Sequence, residues 1–165
     1  MRRAGLAAGA GATVLGLAAL AACGTSSGSG GSGGSGGSHA DGSPARITVS
    51  HAYIPLPATP DMAVAYFDLT NAGGSADRLL SVSSPSVQSA ELNQSTETSM
   101  HTIDGVDVPA HGEADLARGG THVMLMGLDP APRIGQTIEL KLSFQHTGTI
   151  TVQATVQPLT YQPPK

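Results

Sequence analysis

Short β-rich runs separated by turn signals fill the chain from about residue 46 to residue 157, and no segment shows a long helical period. Such runs, rich in Val, Ile and Thr, are typical of strands. The separators contain Gly, Pro, Asn and Asp, which turns favour. We therefore predict strands over residues 47–54, 64–70, 78–82, 87–92, 99–103, 122–128, 137–144 and 149–156. The pattern predicts an all-β domain.

The last two predicted strands alternate most clearly between apolar and polar residues. One face of the first carries only apolar side chains, at Ile138, Leu140, Leu142 and Phe144, and a tight turn separates it from the run 149–156. Because successive side chains of a strand point to opposite faces, this pattern predicts the closing hairpin of an antiparallel β-sandwich. The chain has no Trp and two Phe, so its core must be built from Val, Leu and Ile.

The start of the chain has the features of an export signal. Arg2 and Arg3 precede an apolar run that ends in small residues, which predicts a signal peptide of the lipoprotein type over residues 1–22. The sequence Leu-Ala-Ala-Cys at 20–23 resembles the lipobox of bacterial lipoproteins, in which the cysteine is lipidated and becomes the mature N-terminus. We expect residues 23–45 to be this lipidated Cys23 and a flexible Gly/Ser linker. The protein would then be extracytoplasmic and anchored to the cell membrane.

Charge restricts the class of partner. Loss of Arg2 and Arg3 with the signal leaves six Lys and Arg against twelve Asp and Glu, a net charge of −6 with His neutral. An acidic chain of this kind is not expected to bind nucleic acid. The predicted folded domain covers residues 46–157. The tail at 158–165 contains three prolines and is predicted to be disordered.

A stripe of soft metal-binding side chains lies on one predicted strand. Because alternate side chains share a face, His122, Met124 and Met126 point the same way. Met100 precedes this strand by a segment rich in turn residues, so the fold must bring it from a different strand. Thioether sulfur is a soft, neutral donor and imidazole is intermediate, a set that suits Cu(I) and is poor for Mg, Ca or Mn. We therefore predict Met100, His122 and Met124 as ligands of Cu(I).

The spacing of these ligands resembles a known family. Met100, twenty-one residues, His122, one residue and Met124 resemble the extracytoplasmic Cu(I) chaperones of the PCu(A)C type, and so do residues 65–71, 77–80 and the final hairpin. The resemblance implies a cupredoxin-like β-sandwich that binds Cu(I) through two Met and two His. It also implies that copper is handed on toward the dinuclear copper site of cytochrome oxidase. The implied partners are a thioredoxin-like copper assembly factor or the copper subunit of the oxidase.

The sequence departs from the family at one ligand. Where the family has its first His, this chain has Asn93, and the loop to Met100 is shorter than usual. An amide oxygen is a hard, weak donor for Cu(I), so the site is either three-coordinate or recruits another residue. Met126 lies on the same strand face as His122 and Met124 and could be that additional ligand. His101 neighbours Met100 but points to the opposite side of an extended strand, unless the loop there is irregular.

Other interpretations of the same residues stay open. A His-x-Met-x-Met stripe also occurs in cores, and Met126 alone fits a core residue beneath the site. The remaining histidines have contexts typical of solvated side chains: His39, His51, His111 and His146. No nucleophile elbow or carboxylate pair supports an enzyme. The alternative to a carrier is a non-catalytic lipoprotein interaction module whose copper site weakened or disappeared with the His at position 93.

Overall fold

The computed structural model describes residues 42–164, so the predicted signal peptide, Cys23 and most of the linker lie outside the described residues. Ten strands follow one another: β1 (Ile47–Pro55), β2 (Met62–Asn71), β3 (Asp77–Ser83), β4 (Ser89–Ser95), β5 (Met100–Thr102), β6 (Val106–Val108), β7 (Glu113–Leu116), β8 (Thr121–Met126), β9 (Thr137–Phe144) and β10 (Thr149–Gln157). The described part contains no helix that is long and apolar enough to cross a membrane. The predicted all-β class is confirmed.

Two of these strands, β6 and β7, are absent from the sequence prediction. They are only three and four residues long. A run of that length shows too little alternation to stand out from the turn residues around it. β6 adds to the edge of β3, and β7 pairs with the second half of β2.

The strands form one curled sheet in the order β5-β4-β8-β2-β1-β10-β9-β3-β6. Neighbours are antiparallel except at β1 and β10, which run parallel from Tyr53 opposite Thr155 to Pro55 opposite Gln157. The sheet is therefore mixed, whereas the sequence predicted antiparallel pairing throughout. Parallel pairing needs a long connection between the two strands. Here almost the whole domain separates β1 from β10.

The core lies on the inner face of this sheet. The predicted hairpin is confirmed, with β9 and β10 paired from Thr137 opposite Thr155 to Ser143 opposite Thr149. Its four predicted apolar residues on β9 are all buried. β2 alternates in the same way, with Ala63, Ala65, Phe67 and Leu69 buried. The first half of β2 pairs with β8 and its other edge with β1, so β2 links the core to the strand that carries the His-x-Met-x-Met stripe.

A buried carboxylate fixes the turn of the closing hairpin. Asp77 accepts hydrogen bonds from the backbone N–H groups of Arg78, His146 and Thr147 and from the Thr147 hydroxyl. Burial by itself would raise the pKa of Asp77, but the bonds from Thr147, Arg78 and His146 outweigh it and hold the pKa below its ordinary value. The ionised form of Asp77 therefore stabilises the fold.

The segment after β10 contacts the domain, whereas the sequence predicted disorder over residues 158–165. The ring of Tyr161 packs edge-on against Tyr53, with centroids 5.1 Å apart. The Arg118 guanidinium donates a hydrogen bond of 2.8 Å to the carbonyl oxygen of Leu159. Leu159 and Tyr161 thus make contacts with the domain that the sequence did not indicate.

Candidate metal centre

The register of β8 and its neighbours decides which side chains share a face with the His-x-Met-x-Met stripe. Val123 and Leu125 are fully buried in the core. The alternate residues of β8 therefore lie on the other face of the sheet. His122 is directly opposite Asn93 on β4, and Met124 lies between Glu91 on β4 and Val64 on β2.

His122 is held in one orientation by its own backbone. Its Nδ1 lies 3.0 Å from the carbonyl oxygen of Gly120, and because a carbonyl only accepts, Nδ1 must carry the proton. The same carbonyl accepts the backbone N–H of Ser95 at 3.1 Å, which ties this turn to β4. Nε2 makes no hydrogen bond with any described residue, and in the neutral ring with Nδ1 protonated it is the atom that carries the lone pair. A histidine whose other ring nitrogen is fixed in this way is prepared to bind a metal.

The environment of the imidazole is largely dry. His122 is 6% exposed. The ring of Tyr66 lies beside it, with centroids 6.4 Å apart. Burial raises the pKa of the Tyr66 phenol, although nearby Arg118 opposes this, so the phenol stays neutral at physiological pH. Between residues 42 and 164 no group of three or more His, Cys, Asp or Glu is arranged to hold a metal.

Asn93 is buried, with 4% of its surface exposed, and both ends of its amide make hydrogen bonds within the protein. Its Oδ1 accepts a hydrogen bond of 3.2 Å from the Thr102 hydroxyl, and its Nδ2 donates to the carbonyl oxygen of Glu91. Register places Thr102 and His122 on either side of it. The side chain nearest His122 on β4 is therefore a hydrogen-bonded amide, at the position where the sequence comparison expected an imidazole.

Met100 lies on the same face but at the edge of the sheet. It is opposite Ser95 on β4 and is 54% exposed. Because β4 separates β5 from β8, the backbones of Met100 and His122 are about 10 Å or more apart. A shared metal would thus require the Met100 side chain to extend across β4. His101 pairs with Gln94 and points to the opposite face, as its position in the sequence predicts.

A further thioether, which the sequence analysis did not include among the ligands, lies on this face. Met62 at the start of β2 is directly opposite Met126, and is 45% exposed, whereas Met126 is half-buried. Met62 follows Pro60 and Asp61, a context that suggests a loop. The alternation of exposed and buried residues along β2 begins at Met62, and extending the predicted strand to that residue would have placed its side chain on this face.

The domain matches a known protein family and is similar in sequence to a protein from another organism. Residues 47–156 match the family described as "Putative lipoprotein LpqE-like". A protein of Leifsonia xyli subsp. xyli (strain CTCB07), "Putative lipoprotein Lxx21020", is 31% identical over 123 residues, which are 72% of this chain and 71% of the relative. Family and relative are thus both described as putative lipoproteins.

Solved structures share the fold. The copper-bound PCuAC domain from PmoF2 has a TM-score of 0.59 and 25% identity, covering 68% of this chain and 92% of that domain. The solution structure of CuI-DR1885 from Deinococcus radiodurans has a TM-score of 0.57 and 30% identity, covering 66% of this chain and 76% of that one. These similarities confirm the predicted cupredoxin-like β fold. The chain belongs to the LpqE-like family and carries a PCuAC-type domain.

Proposed function

We propose that this protein is a Cu(I) chaperone whose cargo is bound by His122, Met124 and Met100. The observation that carries the proposal is the pair on β8: the Nε2 lone pair of His122 is fixed by the Nδ1 bond to Gly120, and Met124 lies on the same face two residues along. Both side chains are neutral and soft or intermediate donors, which favours Cu(I) over harder cations. Copper in two similar domains supports the same class of cargo.

A carrier fits this ligand set better than an enzyme does. Thioethers bind and release the ion without taking up or giving off protons, and they favour Cu(I) over Cu(II). Met100 at the sheet edge is half exposed, so an acceptor can reach this ligand while His122 and Met124 still hold the ion. Copper would then leave by stepwise ligand exchange.

We further propose that the chaperone acts at a membrane surface. Cys23 would carry the lipid, and the Gly/Ser segment that follows would let the domain move away from the bilayer. The acceptor would offer thiolates or further imidazoles. We propose a thioredoxin-like copper assembly factor or the copper subunit of cytochrome oxidase, the partners that the family resemblance implies.

One observation favours a second candidate, a non-catalytic interaction module with a weakened copper site. Asn93 stands at the expected His position, and its amide is satisfied by Thr102 and Glu91 rather than turned toward His122. Loss of one of four ligands would lower the affinity for copper. The two candidates therefore differ in a measurable constant.

The experiment is a Cu(I) titration of the full chain against a colorimetric Cu(I) chelator. The chain carries Cys23→Ser throughout, because a free thiolate would itself bind Cu(I). We expect saturable binding that His122→Gln weakens at least about tenfold, or about 1.4 kcal/mol. The matched control His146→Gln changes an exposed His in the β9–β10 turn and should leave binding unchanged. Absence of saturable binding, or equal effects of both variants, would favour the interaction module.

A further inference from the structure

All four methionines after Met1 lie on one face of the sheet formed by the neighbouring strands β5, β4, β8 and β2. Met62 is opposite Met126, Met126 is two residues from Met124 on β8, and Met100 reaches the same face through its pairing with Ser95. The chain contains five methionines in total, and none of these four is among the buried residues of the core. A face that collects every internal thioether of the protein is better explained by metal binding than by packing.

Three of these thioethers form a triangle beside the proposed His122 centre. Residues directly opposite each other on antiparallel strands have Cβ atoms about 5 Å apart, and diagonal neighbours are about 7–8 Å apart. Met62 and Met126 are such an opposite pair, and Met62 and Met124 are diagonal because Val64 is the residue opposite Met124. A methionine side chain with three rotatable bonds spans these distances, so all three sulfur atoms can bind one ion.

The backbone around Met62 is held in place, so the triangle has a fixed frame. The N–H of Gly127 donates to the carbonyl oxygen of Asp61 at 2.8 Å, and a bridge joins Thr59 to Met62. The Met62 side chain is 45% exposed. An ion bound by its sulfur is therefore reachable from outside the protein.

We infer that Met62, Met124 and Met126 form a second, all-thioether site for Cu(I) at the rim of the domain. This inference rests on the proposed chaperone function and adds a second binding site for the same cargo. Met124 belongs to both ligand sets, so its sulfur bridges the two ions when both sites are filled. When copper moves between them, its bonds to His122 Nε2 and Met100 sulfur break and bonds to the sulfurs of Met62 and Met126 form. Copper stays Cu(I), and no electron is transferred.

The experiment is an NMR titration with Ag(I), a soft, redox-inert substitute for Cu(I). The full chain with Cys23→Ser and labelled methionine ε-methyl groups gives five resonances, of which four report on this face. We expect the first equivalent to shift the methyl groups of Met100 and Met124. The second equivalent should shift those of Met62 and Met126.

Substitutions then assign the two stages. Met62→Leu nearly conserves volume at an exposed position, so the fold should persist. We expect it to weaken the second stage at least about tenfold while the first stage stays, whereas Met100→Leu should have the reverse effect. The inference is overturned if the Met62 and Met126 methyl groups do not respond by two equivalents, or if Met62→Leu leaves the second stage unchanged.

Failure of the chaperone proposal is read from other signals. It would appear as no response of Met100 and Met124 to the first equivalent, together with no effect of His122→Gln. The Met62 and Met126 methyl groups report on the rim site in either case. The two proposals therefore fail separately.

Discussion

Asn93 lies directly opposite His122 across the β4–β8 pair. Its amide is turned toward Thr102 and the Glu91 carbonyl, so it does not hydrogen-bond the imidazole beside it. Opposite side chains on one face have Cβ atoms about 5 Å apart, a separation from which two imidazoles can bind one ion. The backbone at this pair would therefore let two imidazoles share one ion if position 93 carried a histidine.

An imidazole at position 93 should strengthen the proposed site. We expect Asn93→His to raise Cu(I) affinity at least about tenfold in chelator competition, because imidazole replaces a hard amide next to His122. Asn93→Gln is the matched control, since it enlarges the side chain but keeps the amide, and it should bring no gain. Equal affinities for Asn93→His and the parent would show that β4 no longer contributes a ligand position.

Removing one thioether should separate binding from folding. Met124→Leu nearly conserves volume and apolarity, so its free energy of unfolding should change by less than about 1.5 kcal/mol. Cu(I) affinity should nevertheless fall at least about tenfold. Leu125→Met is the complementary control, because it adds a thioether on the core face, where it cannot reach the site. A Met124→Leu variant that binds like the parent would exclude Met124 as a ligand.

Asp77 predicts how stability depends on pH. Its pKa is lowered in the folded state, so its contribution is present above the unfolded pKa of about 3.9 and is lost as pH falls through the folded value. We expect Asp77→Asn to cost about 2–4 kcal/mol in urea unfolding at pH 7, because an amide cannot accept all four bonds. The difference from wild type should shrink between pH 4 and pH 2.

Asp104→Asn is the control for this measurement. Asp104 pairs with Arg78 at 2.7 Å, but its side chain is 95% exposed. Its loss should cost less than about 1 kcal/mol and keep the acid dependence of wild type. If Asp77→Asn unfolds with the same pH profile as Asp104→Asn, the buried carboxylate is not the source of that dependence.

Cys23 predicts where the protein resides. Wild type should sediment with membranes after cell fractionation, and Cys23→Ser should leave an unlipidated precursor whose mass includes residues 1–22. Ser26→Ala, three residues further along, is the control and should fractionate like wild type. Recovery of a wild-type protein with an unmodified Cys23 thiol would contradict the anchor.

Much of this protein follows from local sequence. The two-residue period of β8 is enough to separate Val123 and Leu125 from His122 and Met124, because the pleat of any strand sends alternate side chains to opposite faces. The same rule indicates the β9–β10 hairpin and places His101 away from Met100. The spacing from Met100 to Met124 was sufficient to indicate the family. These properties depend only on neighbours along the chain.

Tertiary structure decided which strands meet and in what register. Nothing near Met62 in the sequence indicates that it faces Met126, and nothing near Asn93 shows that its amide bonds Thr102 instead of His122. The parallel pairing of β1 with β10 and the contact of Tyr161 with Tyr53 likewise join residues about a hundred positions apart. Register between strands is fixed by burial of the common core and by the turns. The proposed metal ligands come from β2, β5 and β8 and therefore depend on the whole fold, and only those on β8 are encoded locally.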